Sequence, residues 1–398
     1  MRRLLPSVLL AALVLCLLFV CTASAEEARD LTSGCTFRAS RANGEFPYVT
    51  DGDLSTYFIL LKEDGTLEIR SAEPVWGVYV RLFYQYSKPV AYALEAEHNG
   101  IWTGVGSGGT YLSTWHPLKA PETHLRIRST GPISMAIAEV QVFGPGDKPA
   151  EVQDWQTAEK CDLMLLTAHP DDELLWFGGL LPTYAGERGL TVQCVIMVPT
   201  GGERRQEYLS VLWHCGVRAY PEFLDLPDNN GKTPDKQYQR WHGKIHVLTK
   251  LVAVIRRHRP EVLVTHGEGG EYGHGAHRTA ADAAKRSVVL AAQEKQFKSS
   301  ESVYGTWQVK KLYLHEYEEN PIVCDWDQPL AAFGGKTGFE VAEEAFRFHA
   351  SQIKRGWEFT RRGEHDNTAF GLYMTQVGED TGTGDLMEHI GSAADAAQ

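Results

Sequence analysis

Cysteine is scarce in this chain, 7 among 398 residues, too few to build a fold of this length from disulfides. Positive charge is in deficit. Lys and Arg number 39 against 51 Asp and Glu, a formal net charge of −12, and no basic stripe of the kind a nucleic-acid binder carries is present. There is no internal repeat. Beyond the first 25 residues no apolar run reaches the roughly 20 residues of a membrane-spanning helix. What remains is ordinary: 43% hydrophobic, 23% charged and 10% aromatic. That composition excludes a mostly disordered chain, a collagen and a coiled coil, and the length suggests two or three domains.

The N-terminus reads as a leader. Arg2 and Arg3 precede an apolar stretch over 4–20, and Ala23-Ser24-Ala25 is an A-x-A site followed by Glu26 and Glu27. This is the layout of a secretory signal peptide over residues 1–25. It predicts a secreted protein without a stable span after cleavage. The rival, an uncleaved anchor, would have to span with fewer apolar residues than the usual 20 or so. A lipoprotein site at Cys21 is disfavoured by the bulky Val20 before it. Cleavage would leave Cys35, Cys161, Cys194, Cys215 and Cys324, an odd set for which no disulfide is predicted. Cys161 and Cys194 lie in apolar runs, as small core residues do.

Two segments of different texture follow. Residues 26–146 hold short runs that alternate apolar and polar (65–70, 77–86, 91–97, 124–128, 137–143), bounded by turn residues. These predict an antiparallel β-sandwich. The Gly- and Pro-rich residues Gly144-Pro145-Gly146-Asp147-Lys148-Pro149 open a linker expected over 147–158. Residues 159–376 alternate strands with helices. Strands are expected at 162–168, 190–198, 261–266 and 311–317, and helices at 174–186, 205–215, 237–258, 276–293 and 339–353. The alternation predicts an α/β domain, a mostly parallel sheet covered on both faces. Residues 377–398 read as a flexible tail.

In open α/β sheets ligands bind beyond the carboxyl ends of the strands, and three such ends are polar and glycine-rich here. The first carries His169-Pro170-Asp171-Asp172-Glu173. The second carries Thr200-Gly201-Gly202-Glu203-Arg204-Arg205. The third runs from His266 to His277 and contains Glu268, Glu271, Tyr272 and His274. Either acidic or histidine motif alone would pass for a solvated surface, and Asp171-Asp172 would suit a helix N-terminus. Together, behind apolar strands of one domain, they imply chemistry. Imidazole with carboxylate suits zinc, whose catalytic sites have three protein ligands and one open position. His169, Asp172 and His277 could be those ligands. Asp171 would then be free as general base toward a water whose pKa zinc brings to about 7. His274, one helical turn before His277, could polarise or protonate a substrate carbonyl.

Ala168-His169-Pro170-Asp171-Asp172-Glu173 with Tyr272-Gly273-His274-x-x-His277 resembles the LmbE-like/PIG-L family of zinc-dependent N-deacetylases, over about residues 160–376. The resemblance implies a Rossmann-like α/β fold and hydrolysis of the acetamide of an N-acetyl-hexosamine. It implies zinc on His169, Asp172 and His277, Asp171 as general base, and His274 and Tyr272 as oxyanion stabilisers. Gly275-Ala276 departs from the Pro-Asp of many members and removes a carboxylate near the ligands.

Other residues carry open alternatives. Arg204 and Arg205 would either bind sugar hydroxyls or sit in an exposed first helical turn. Asp225 and Asp228 are further candidates for hydroxyl binding. Glu173 reads as a support or helix-start residue, and His214, His242, His246, His258 and His349 as structural; His266 is ambiguous. The N-terminal segment is similar to coagulation-factor type C, discoidin-like sandwiches, on 48–57 and on 125–128 with 138–144, and that resemblance implies a carbohydrate ligand. Its Asp51-Gly52-Asp53 loop would hold Ca2+ or make a tight turn. Trp76, Trp102, Tyr111 and Trp115 would stack on sugars or fill the core. Two rivals to the deacetylase remain: an amidase removing a larger acyl group from an amino-sugar conjugate, and a carbohydrate-binding protein with an inactive hydrolase-like domain.

Overall fold

The structure is a computed structural model that describes residues 26–43, 46–62, 64–84, 89–361 and 363–391. The leader expected at 1–25 and the end of the expected tail, 392–398, lie outside the described residues. The N-terminal part is all β, with strands β1 (Thr36–Ser40), β2 (Ala42–Asn43), β3 (Phe58–Leu60), β4 (Thr66–Leu82), β5 (Tyr92–His98), β6 (Ile101–Gly108), β7 (Ser113–Ser129) and β8 (Met135–Phe143). The two 17-residue strands build both layers. The first half of β4 pairs with β1 and with the end of β7. Its second half, past irregularities between Arg70 and Gly77, pairs with β8 and the start of β7. All these pairings are antiparallel. Period-2 alternation puts Leu67, Ile69, Val78, Val80 and Leu82 of β4 between the layers against Leu94, Ile127, Val140 and Val142. The expected sandwich is therefore present.

The second part is the expected α/β domain. Its strands are β9 (Leu163–Thr167), β10 (Val192–Ile196), β11 (Glu222–Phe223), β12 (Val262–Thr265), β13 (Lys311–His315), β14 (Pro321–Val323) and β15 (Ala369–Thr375), in the order β11-β10-β9-β12-β13-β15-β14. The first five are parallel, and β15 runs antiparallel to β13 and β14. β9, β10, β12 and β13 are buried at every residue, because helices cover both faces. β9 lies between β10 and β12, so the chain leaves it in opposite directions. The crevice of such a sheet opens there.

Several expected elements are broken. The helix expected at 174–186 is one turn, Asp172–Leu175, followed by a wider turn over Pro182–Glu187. Gly178 adopts φ +51, and a Cβ on Gly179 would stand 2.9 Å from Trp326, so the close packing of this segment needs both glycines. The helix expected at 237–258 is two, Pro234–Arg240 and Lys244–His258, separated at His242 and Gly243, both with positive φ. The one expected at 339–353 is likewise Gly338–Phe346 and Ala350–Ile353.

Two boundaries also need correction. Residues 147–158 are no free tether: Val152, Gln153 and Trp155 are buried, and the Trp155 ring meets Trp213 edge-on at 5.3 Å. The tail is docked as far as 390. Leu386 and Met387 are buried. Asp380 forms an ion pair with Lys311 and accepts from the Tyr313 hydroxyl at 2.6 Å. The sandwich and the α/β domain share a contact in which Arg81 donates to Gln206 and Ser210, Gln206 donates to the Leu82 carbonyl, and the Arg205 guanidinium lies 3.5 Å over the Tyr84 ring. The five described cysteines are free.

Candidate metal centre and active site

The end of β9 turns sharply. Asp171 sits at φ +121 at the start of the Asp172–Leu175 turn, a conformation that costs a non-glycine residue energy and is held only by its surroundings. Glu173 holds it. Its Oε2 accepts the Asp171 N–H at 2.8 Å, and its Oε1 meets His349 Nε2 at 2.6 Å, in a fully buried contact. Glu173 and His349 are thus supports, as expected.

Asp172 faces back over the strand end. Its Oδ2 accepts the backbone N–H of His169 at 2.6 Å and of Ala168 at 3.1 Å, and its Oδ1 accepts the Trp176 indole N–H at 2.9 Å. His277 comes from the helix Gly275–Ala292 that follows β12. Four donor atoms from three residues converge. His277 Nε2 is 3.3 Å from His169 Nδ1 and 3.4 Å from Asp172 Oδ1, and His169 Nδ1 is 3.5 Å from Asp172 Oδ2. Separations of that length are those between two donors that each lie about 2.1 Å from a shared tetrahedral ion, the distance at which zinc takes nitrogen and oxygen ligands. The donor set therefore fits a zinc ion held by His169, Asp172 and His277.

Two other histidines stand near. His274 and His266 each fall in a group of three donors with atoms within 4.8 Å of one another. Hydrogen bonding separates them from the ligands. His274 Nδ1 accepts the Ala276 N–H at 3.3 Å, so the hydrogen of the neutral ring is on Nε2. Burial, with the neighbouring His277 and His169, pushes its pKa down to about 4. It is a neutral N–H donor that lines the pocket. His266 has neither nitrogen free. Nδ1 faces Glu271 at 2.7 Å, and Nε2 faces both the Ala168 N–H at 3.0 Å and Asp172 Oδ2 at 3.3 Å. Burial alone would lower its pKa, but the carboxylates of Glu271 and Asp172 carry it up to about 10.

The acids divide. Burial and the charge of Asp172 push Asp171 well above the usual carboxylate range, opposed by Arg204, whose guanidinium lies 3.2 Å from Asp171 Oδ2. Burial also acts to raise Asp172, but the imidazoles of His277 and His266 overcome it and hold that carboxyl well below its usual range. A pair of carboxyls pushed apart in this way separates a proton carrier from a permanent anion. Tyr272 (φ +44) lines the same pocket. Burial and the surrounding carboxylates push its phenol up, so it remains a hydroxyl donor.

The pocket, about 150 Å³, brings together His169, Asp171, Asp172, Arg204, Asp228, Tyr272 and His274 with Trp176, Gln352 and Trp357. Arg205 and Asp225 are not among them. They form an ion pair at 2.5 Å, with Arg205 buried beneath Tyr84, and Asp225 adopts φ +54. Their expected role on hydroxyls gives way to an anchoring one. Trp176, Gln352 and Trp357 had no signal in sequence, since their approach depends on the broken helices. Glu271, His266 and His315 form a buried cluster behind the ligands.

On the sandwich, Asp51 Oδ1 accepts the Asp53 N–H, and Asp53 Oδ1 accepts the Ser55 N–H and hydroxyl, at 2.7–2.9 Å. That is the tight turn, with the carboxylates engaged inside the loop. Tyr111 packs on Tyr220, Trp115 on Phe143, and Trp102 beneath Arg126. Trp76 is exposed.

Residues 164–288 match the family model described as PIG-L, GlcNAc-PI de-N-acetylase. A relative from Nocardioides sp., named 1D-myo-inositol 2-acetamido-2-deoxy-alpha-D-glucopyranoside deacetylase, is 31% identical over 212 residues, 45% of this chain and 69% of the relative. The chain belongs to this family. A relative of the same activity from Catenulispora acidiphila is 26% identical over 268 residues, 58% of this chain and 79% of its own. Among solved structures, the N,N'-diacetylchitobiose deacetylase of Pyrococcus horikoshii covers 49% of this chain and 71% of its own, at TM-score 0.38 and 19% identity. A family 32 carbohydrate-binding module of C. perfringens, solved with galactose, covers 29% of this chain and 99% of its own, at TM-score 0.26 and 18% identity. The chain is an enzyme of the metal-dependent deacetylase class, a hydrolase of amide bonds.

Proposed function

We propose that this is a secreted zinc enzyme that removes the acetyl group from an N-acetylglucosamine-type sugar, alone or within a glycan. The observation that carries the reading is the convergence of His169, Asp172 and His277 at 3.3–3.5 Å beside a pocket that holds a proton carrier and two neutral donors. Zinc bound there would supply Lewis-acid activation of water and of the acetamide carbonyl. Asp171 takes the proton of the attacking water, holds it because burial favours its acid form, and delivers it to the leaving amine nitrogen. The Nε2–H of His274 and the hydroxyl of Tyr272 donate to the oxygen on which negative charge develops. Trp176, Tyr272 and Trp357, with ring centroids 5.8–6.4 Å apart, offer apolar faces to a pyranose ring. The sandwich is assigned a carbohydrate ligand, with Trp76 as its exposed aromatic. Secretion rests on the leader-like pattern of residues 1–25.

The test is acetate release from N-acetylglucosamine, N-acetylgalactosamine, their oligomers and sialylated glycans, before and after chelation and with zinc returned. Release from at least one substrate, abolished by chelator and restored by zinc, is expected. No release from any of them, or release indifferent to chelator, would sink the reading. Secretion is checked by the N-terminal residue of protein collected from the medium, expected to be Glu26.

A further inference from the structure

We propose that Glu271 is the positioning residue of the metal centre, a buried carboxylate that sets which nitrogen of His277 carries hydrogen. The proposal rests on His277 being a ligand and goes beyond that assignment. Glu271 is 1% exposed although it stands in a glycine-rich loop. Gly270, at φ +63, turns the loop, and a Cβ there would lie 2.8 Å from the His274 carbonyl oxygen. The inward turn therefore needs this glycine.

Once inside, the carboxylate meets three imidazoles. Its Oε2 is 2.7 Å from Nδ1 of both His266 and His277, and its Oε1 is 2.6 Å from Nδ1 of His315. An ionised carboxylate only accepts, so each Nδ1 must carry hydrogen. For His277 that leaves the lone pair on Nε2, the atom facing His169 and Asp172. With hydrogen on Nε2 instead, His277 could not ligate. The second nitrogen of His315 faces the Asp366 carbonyl oxygen at 3.0 Å, which fixes that ring from β13. The carboxylate thus joins the loop after β12, the helix bearing His277 and the end of β13. It does not line the pocket, so it acts through His277.

A carboxylate behind a ligating imidazole is worth about 10–100-fold in metal affinity. Glu271→Gln replaces one acceptor oxygen with an N–H donor that would face an N–H. The folded variant should bind zinc about 10–100-fold more weakly, measured by competition with a chromophoric chelator. Its circular dichroism should match the parent. In 15N-edited spectra of the metal-free parent, His277 should carry its hydrogen on Nδ1. Unchanged zinc affinity in folded Glu271→Gln would overturn the proposal. So would an Nε2–H form of His277 in the parent, a measurement that stands even if the variant fails to fold. Failure of the parent to bind zinc would instead refute the ligand assignment. None of these measurements uses substrate, so loss of the deacetylase reading would leave them interpretable.

Discussion

Replacing Arg204 with Gln should move the acid limb of the activity profile to higher pH. Arg204 and Asp171 are 3.2 Å apart with side chains 12% and 8% exposed, so water screens the pair little. Asp171 is pushed up by burial and by Asp172, and Arg204 opposes both. An opposite charge at this range lowers a carboxyl pKa by about 1–3 units. Its removal should therefore raise Asp171 further. The sign follows directly. A general base works when deprotonated, activity falls as pH drops through its pKa, and a raised pKa brings that fall in at higher pH. A bound metal ion adds its own field to both proteins, so the difference between them survives it. The assay is kcat/KM for acetate release from pH 4 to 10 in parent and Arg204→Gln, with zinc content confirmed. Activity lowered by the same factor at every pH, with the acid limb in place, would show that Arg204 serves binding alone and refute the electrostatic argument.

Asp171→Asn should retain zinc and lose at least about 10²-fold in turnover; near-parental turnover would shift the base to another group. Asp380→Asn should cost about 3–5 kcal/mol in denaturant unfolding, because it leaves the fully buried Lys311 ammonium without its carboxylate. A loss under about 1 kcal/mol would mean that the segment after 377 is not docked in solution. Residues 159–391 alone should be less stable than the whole chain and prone to association, since removing the sandwich uncovers the buried Gln206 and the ring of Tyr220. A monodisperse fragment with the parental melting temperature would contradict that.

Much of this protein is local, and the local part is legible in the chain. Unbroken apolar runs such as 163–166 can be buried on both faces only in a covered sheet, and the polar residues that follow them fall where such a sheet opens. His169, Asp171, Asp172 and His277 were visible for that reason, as were the alternating strands of the sandwich. What depended on tertiary approach was not. Arg204 and Arg205 are neighbours with the same chemistry, yet helix rotation sends one to Asp171 and the other under Tyr84. Tail residues 378–390 look solvent-loving until Asp380 finds Lys311. Glu271 is one acid among several in a glycine-rich stretch, and only the backbone turn at Gly270 carries it inward to the imidazoles of His266, His277 and the more distant His315. Periodicity reports which face of an element is apolar, because burial is an averaged property of many residues. Hydrogen-bond partners are set by single side chains, as where Glu173 meets His349 176 positions along the chain, and that meeting exists only in the folded chain.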